Sequence, residues 1–207
     1  MFHDRDDAGQ QLAETIQERG IKADLVVAIP RGGLPLGRAV ADELGVSLDV
    51  VVAAKIGAPW NEELAIGTVA SDGTAWLNES ILTHYDVSER FIERGKHRKQ
   101  ATAKQKEREY RPDRPPLDVA GKVVMIVDDG IATGATMRAC INQLQEGDAS
   151  QIIVAVPVAP PETVTDLQHV VDEVICLHAP SMFGAVGAFY DDFSQVSDEQ
   201  AIAYLHE

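Results

Sequence analysis

Five short apolar runs, each bounded by turn-forming residues, frame the chain: Leu25 to Ile29, Leu48 to Ala54, Val123 to Val127, Ile152 to Val158 and Val171 to Leu177. Runs of this length, rich in β-branched residues, predict strands buried on both faces, as in a parallel sheet. Between them apolar residues recur at helical spacing. Ala8, Leu12 and Ile16 do so over Asp7 to Arg19, as do Leu36, Val40 and Leu44, then Met137, Cys140, Ile141 and Leu144, and Val164 and Leu167 after Pro161. Gly20 stands where a helix end favours glycine, and a last helix is expected over Asp198 to Leu205. Strands that alternate with helices predict an α/β fold.

Three stretches break the alternation. Gly57 to Gly67 reads as a long irregular loop, a feature that compact domains usually reserve for function. Thr68 to Ser71 and Thr74 to Leu77 flank Asp72-Gly73, the strongest short hairpin signal, and predict a small antiparallel flap. Ser88 to Tyr110 carries Arg90, Arg94, Lys96, Arg98, Lys99, Lys104, Lys106 and Arg108, out of 18 Lys and Arg in the chain, and predicts one long basic helix. Such a helix could neutralise phosphates, meet an acidic second subunit, or present a solvated face. Pro112, Pro115 and Pro116 mark a linker behind it.

Composition narrows the picture. A chain of 207 residues with 45% hydrophobic content can bury one α/β core. A formal charge of -15 argues against nucleic acid as a partner, because such binding depends on neutralising phosphates. No apolar run approaches a membrane span, and the first residues lack the apolar core of a signal peptide, so no membrane partner and a cytoplasmic location are expected. Cys140 and Cys176 sit in apolar surroundings that suit small buried thiols.

The chemistry concentrates in Lys122 to Arg138, K-V-V-M-I-V-D-D-G-I-A-T-G-A-T-M-R. An apolar strand ends in Asp128 and Asp129, then turns through Gly130 and Ala132-Thr133-Gly134-Ala135-Thr136 into a helix. A helix N-terminus with free N–H groups and nearby hydroxyls suits a phosphate, and paired carboxylates suit the vicinal hydroxyls of a sugar. This run resembles the phosphoribosyl pyrophosphate (PRPP) motif of the type I phosphoribosyltransferases. The resemblance implies that Asp128 and Asp129 hold the ribose hydroxyls, with a catalytic part as nearby carboxylates, and that the loop from Gly130 through Ala132, Thr133, Gly134 and Ala135 to Thr136 holds the PRPP phosphate. It further implies a single domain over 1–207: a doubly wound, mostly parallel sheet, a flap and long helix over about 57–114, and a C-terminal hood over about 178–207.

Other segments extend the resemblance. Pro30-Arg31-Gly32-Gly33, at the end of a strand, resembles the family's pyrophosphate turn, which implies pyrophosphate contacts from Arg31, Gly32 and Gly33 and a cis peptide between Pro30 and Arg31. Lys55 is similar to a pyrophosphate contact, and the loop after it to one that closes over PRPP, where Glu63 is a candidate general acid or base. In the aromatic, Gly-rich stretch from Ser181 to Phe193, Phe183, Val186-Gly187 and Asp191 or Asp192 resemble the 6-oxopurine members' base pocket and metal contact. Phe183, Tyr190 and Asp191 are accordingly expected at the base, and Asp192 at Mg²⁺. Two departures stand out: Ala132 replaces the loop Asp that serves those enzymes as general base, and Val156-Pro157-Val158-Ala159 offers no Lys to read a purine oxygen. The implied activity is transfer of phosphoribosyl from PRPP to a nitrogen acceptor such as a nucleobase, with Mg²⁺, pyrophosphate release and a homodimer. The alternatives are a protein that senses PRPP or a nucleotide without turnover, and an enzyme acting on another sugar phosphate.

Overall fold

The computed structural model describes residues 1–112 and 114–206. Asp113, in the proline linker, and Glu207, at the end of the expected hood, lie outside the described residues. The chain opens with helix α1 (Arg5–Glu18), which starts two residues before the apolar spacing suggests because Asp4 caps it, accepting the Asp7 N–H. Strand β1 (Leu25–Ala28), helix α2 (Gly33–Leu44) and strand β2 (Ser47–Val50) follow.

The expected strand from Leu48 to Ala54 is two strands. At Val51 and Val52 the chain leaves the first sheet: the Val51 N–H still donates to Ala28, whereas the Val52 carbonyl accepts from Ser71. From Ala53 it runs in a second, antiparallel sheet of β3 (Ala53–Ala58), β4 (Asn61–Ala70) and β5 (Ala75–Leu77). The stretch from Gly57 to Gly67 is therefore not an irregular loop but most of a hairpin, paired Gly57 to Ala65 and Ala58 to Asn61 across two register shifts. Gly57 permits it, because a Cβ there would lie 2.4 Å from the Glu62 carbonyl oxygen. The turn at Asp72-Gly73 forms as expected, with Asp72 Oδ1 accepting the Thr74 N–H and Gly73 at φ +105°. Helices α3 (Glu79–His84) and α4 (Glu89–Tyr110) cover this flap around Ile56, Ile66, Val69, Leu82 and Ile92.

The remaining elements are β6 (Val123–Val127), α5 (Ala135–Glu146), β7 (Gln151–Val158), α6 (Pro161–Gln168), β8 (Glu173–His178), a single 3-10 turn (Val186–Phe189) and α7 (Asp198–His206). The main sheet runs in the order β2-β1-β6-β7-β8 with every pairing parallel. Alternation along each strand divides its side chains between two cores. Val26, Met125, Val127 and Ile153 pack with Leu12 and Ile16 of α1, Leu36 and Val40 of α2, and Leu205 of α7. Leu25, Val27, Val124, Ile126 and Val154 pack with Met137 and Leu144 of α5 and Leu167 of α6. Each fully buried Leu or Ile contributes about 1.5–3 kcal/mol, so both faces are firmly covered and the sheet is doubly wound.

Strand order places the site. The connection after β1 leads outward to β2, while that after β6 leads the other way to β7, so the order reverses between these two central neighbours. At such a switch point the loops beyond the strand ends part and leave a crevice for a ligand.

Candidate functional site

Both loops read from the sequence as ligand-binding lie at this crevice. Beyond β1, Pro30 and Arg31 are joined by a cis peptide, as the resemblance implies. Gly32 and Gly33 press against the neighbouring loop: a Cβ on Gly32 would fall 1.9 Å from Asp129 Oδ2, and one on Gly33 2.7 Å from the Val127 carbonyl. Only glycine lets the two loops meet this closely. Beyond β6, Gly130 has φ +152° and a Cβ there would lie 2.5 Å from Val186 Cγ1, so the hood rests directly on the loop. Gly134, at φ +73°, turns the chain into α5, and Thr163 donates to the Ala132 carbonyl to hold the turn from behind.

Two adjoining cavities result. One, of about 220 Å³, is lined by the loop from Gly130 to Met137 with Lys55, Asp128 and Val186. The other, of about 300 Å³, is lined by Pro30 and Gly32, by Val52, Ala53 and Lys55, by Lys106 and Tyr110, and by Asp128, Asp129 and Thr136. Lys55, Asp128 and Thr136 border both.

The acidic pair is held from three directions. Asp128 Oδ1 accepts the Asp129 N–H at 2.9 Å. Arg5 donates from Nε to Asp129 Oδ2 at 2.8 Å and from Nη1 to the Ser194 carbonyl, with its guanidinium 3.9 Å from the centre of the Phe193 ring. Tyr190 donates its hydroxyl to the Asp129 carbonyl at 2.5 Å. Burial drives the Asp128 carboxyl well above the usual carboxylate range, and the Asp129 charge pushes it further. Burial also raises Asp129, against the pull of Arg5. The cavity floor is thus poised for a cation or for hydroxyl donors, which would relieve the penalty of two desolvated acids.

Several expected site residues stand elsewhere. Glu63 is exposed on β4, its N–H donating to Asn61, and it lines neither cavity. Tyr190 lines neither cavity; it is buried, packed on Phe2 and Phe193, and braces the acidic loop through its bond to the Asp129 carbonyl. Phe183 stacks on Phe189, 5.3 Å between ring centres, and lines neither cavity. Asp191 is exposed, with its N–H donating to Phe2. Asp192 lines a separate hollow with Asp4, Arg5 and Asp6, and its Oδ1 accepts the Ser194 N–H. It lines neither cavity at the acidic pair. Arg31 itself stays outside both cavities, with Nη1 3.7 Å from Asp198 Oδ2, although its neighbours Pro30 and Gly32 line one.

Arg5 and Tyr110 escaped the sequence reading, and Lys106 entered it only as one base of a helix that could neutralise phosphates. For the last two a signal existed: Ile92, Gly95, Ala103 and Tyr110 form a buried stripe on α4 at helical spacing, and Lys106 falls one turn before its end.

The chain is 39% identical over 99% of its length to a protein of Mycobacterium tuberculosis, known from two strains and provisionally named a phosphoribosyl transferase. It spans 46% of that relative's length. TT1426 of Thermus thermophilus has a similar structure, with a TM-score of 0.83, 40% identity and coverage of 99% of this chain and 97% of that one. The purine phosphoribosyltransferase of Pyrococcus horikoshii Ot3 shares the fold at 19% identity and a TM-score of 0.50, over 93% of this chain and 92% of that one. Residues 3–194 match the family model described as the phosphoribosyl transferase domain, and the chain belongs to that family.

Proposed function

We propose that the chain is a cytoplasmic phosphoribosyltransferase that passes the phosphoribosyl group of PRPP to a nitrogen acceptor, a nucleobase, and releases pyrophosphate. The observation that carries this reading is the pair of adjoining cavities that share Asp128, Lys55 and Thr136. A 5-phosphate fits the loop from Gly130 to Thr136 and the α5 N-terminus. Pyrophosphate fits the cavity at Pro30, Gly32 and Lys55, and the ribose ring lies at the common border with its hydroxyls on Asp128 and Asp129.

In the reaction the bond from ribose C1′ to the pyrophosphate oxygen breaks as the acceptor nitrogen bonds to C1′. The carboxylates stabilise the electron-poor ribose, and Lys55 with the Pro30–Gly33 turn takes up charge developing on the leaving group. Among the described residues no group of three or more His, Cys, Asp or Glu could hold a metal. Two carboxylates at a phosphate cavity suit Mg²⁺ that arrives with its substrate and keeps water ligands. Asp128 and Asp129 would hold it, and it would supply Lewis-acid neutralisation of the pyrophosphate. Glu63, Phe183, Asp191 and Asp192 line neither cavity.

One observation favours a second reading, PRPP sensing without turnover: Ala132 stands where a loop carboxylate would deprotonate an acceptor. Pyrophosphate release from PRPP and Mg²⁺ across a panel of nucleobases separates the two. Release that depends on one base is expected. Tight PRPP binding with no release for any base would establish the sensor, and no PRPP binding at all would overturn both.

A further inference from the structure

Helix α4 contributes a cation to the pyrophosphate cavity. Lys106 and Tyr110, one turn apart, both line it. The helix is pinned there on each side of the lysine: Ala103 and Tyr110 are buried, and the Tyr110 hydroxyl donates to Asp198 Oδ1 at 2.6 Å on α7. Lys106 is therefore carried on a fixed backbone with a free side chain.

Among the described residues, neither Lys106 nor Lys55 has a carboxylate within ion-pair distance, although the chain has 33 acidic residues and a net charge of -15. Lys96 and Lys99, by contrast, each meet a glutamate. Two unneutralised ammonium groups in one cavity of about 300 Å³, beside the Pro30–Gly32 turn, make a site for a polyanion rather than for a single phosphate. The acids that would repel such a ligand line the same cavity, Asp128 at its border with the phosphate loop and Asp129 paired with Arg5.

We infer that Lys106 is a ligand-binding residue that makes the cavity selective for sugar phosphates carrying a diphosphate over the same sugar with one phosphate. The inference rests on the PRPP reading above. It singles out one cation from a basic helix that the sequence left able to neutralise phosphates, meet a second subunit or face solvent.

The test is titration calorimetry with two probes, PRPP with Mg²⁺ and ribose 5-phosphate. Lys106→Gln is expected to weaken PRPP about tenfold or more, as for lost hydrogen bonds to a charged group, and to leave ribose 5-phosphate unchanged. Lys106→Arg should restore most of the PRPP affinity. Thr133→Ala, in the loop assigned to the 5-phosphate, should weaken both ligands. Equal PRPP affinity in wild type and Lys106→Gln would overturn the inference, and so would an equal loss for both probes. Absence of PRPP binding by the wild type would instead overturn the reading on which it rests. Lys106 is exposed and its substitution removes no packing, which a matching melting temperature would verify.

Discussion

Asp128 shows at the scale of one residue how a site sets stability against binding. Its carboxyl is raised well above the ordinary 3.8 by burial and by Asp129, so the folded chain holds that proton more tightly than the unfolded chain does. As pH rises past the ordinary value, the unfolded chain gives up the proton first, and stability falls until the raised folded value is passed. Asp128→Asn removes that loss. We expect it to melt above wild type at pH 7 in metal-free buffer, the gap closing as pH falls below about 4, while PRPP affinity drops by about 1–3 kcal/mol. A variant that melts below wild type at pH 7 would refute the account. The acidic pair was legible because strand, acids and loop are contiguous. Arg5 was not, since 124 residues separate it from Asp129 and only packing brings its Nε within 2.8 Å.

Helix α4 shows at the scale of an element why a charge run must be divided residue by residue. Arg90, Arg94 and Arg98 point to solvent. Arg111, next after its last residue, is 7% exposed and donates from Nε to Asp49 Oδ1 at 2.7 Å, with Nη2 bonded to Asp49 Oδ2 and to the Pro115 carbonyl. It ties the end of α4 to β2, the edge strand of the main sheet. Removing one partner of a buried pair costs about 3–5 kcal/mol, so Arg111→Ala should lower the unfolding free energy by that much in urea titrations. Arg94→Ala should change it by less than about 0.5 kcal/mol. Equal effects would mean that the pair is not buried in solution. The split of the expected strand at Val51 belongs to the same scale. An apolar run shows where a strand can form, but not that the Val52 carbonyl will accept from Ser71, in the turn that follows β4.

At the scale of the whole molecule the basic outer face of α4 stands on a chain whose net charge is -15. Charge complementarity of this kind steers two copies together, and we propose a homodimer in which that face meets the acidic surface of its partner. Sedimentation should show a dimer at low salt that dissociates as salt is raised, and Glu at Arg94, Arg98 and Lys99 together should leave monomers. A wild type that sediments as a monomer at low salt would remove the proposal. The sequence by itself determined the α/β class, the parallel strands, the Asp72-Gly73 hairpin, and the two glycine-containing loops at strand ends. Each of these rests on short-range chemistry: residue period, turn preference and the contiguity of one motif. Only the tertiary structure decided which charged residues face the crevice. It brought Lys106 to it, set Arg5 on Asp129, and left Glu63 and Asp192 outside both cavities. The physical reason is that a side chain's direction depends on how helices and sheets pack across long separations, and the local pattern of charge does not encode that packing.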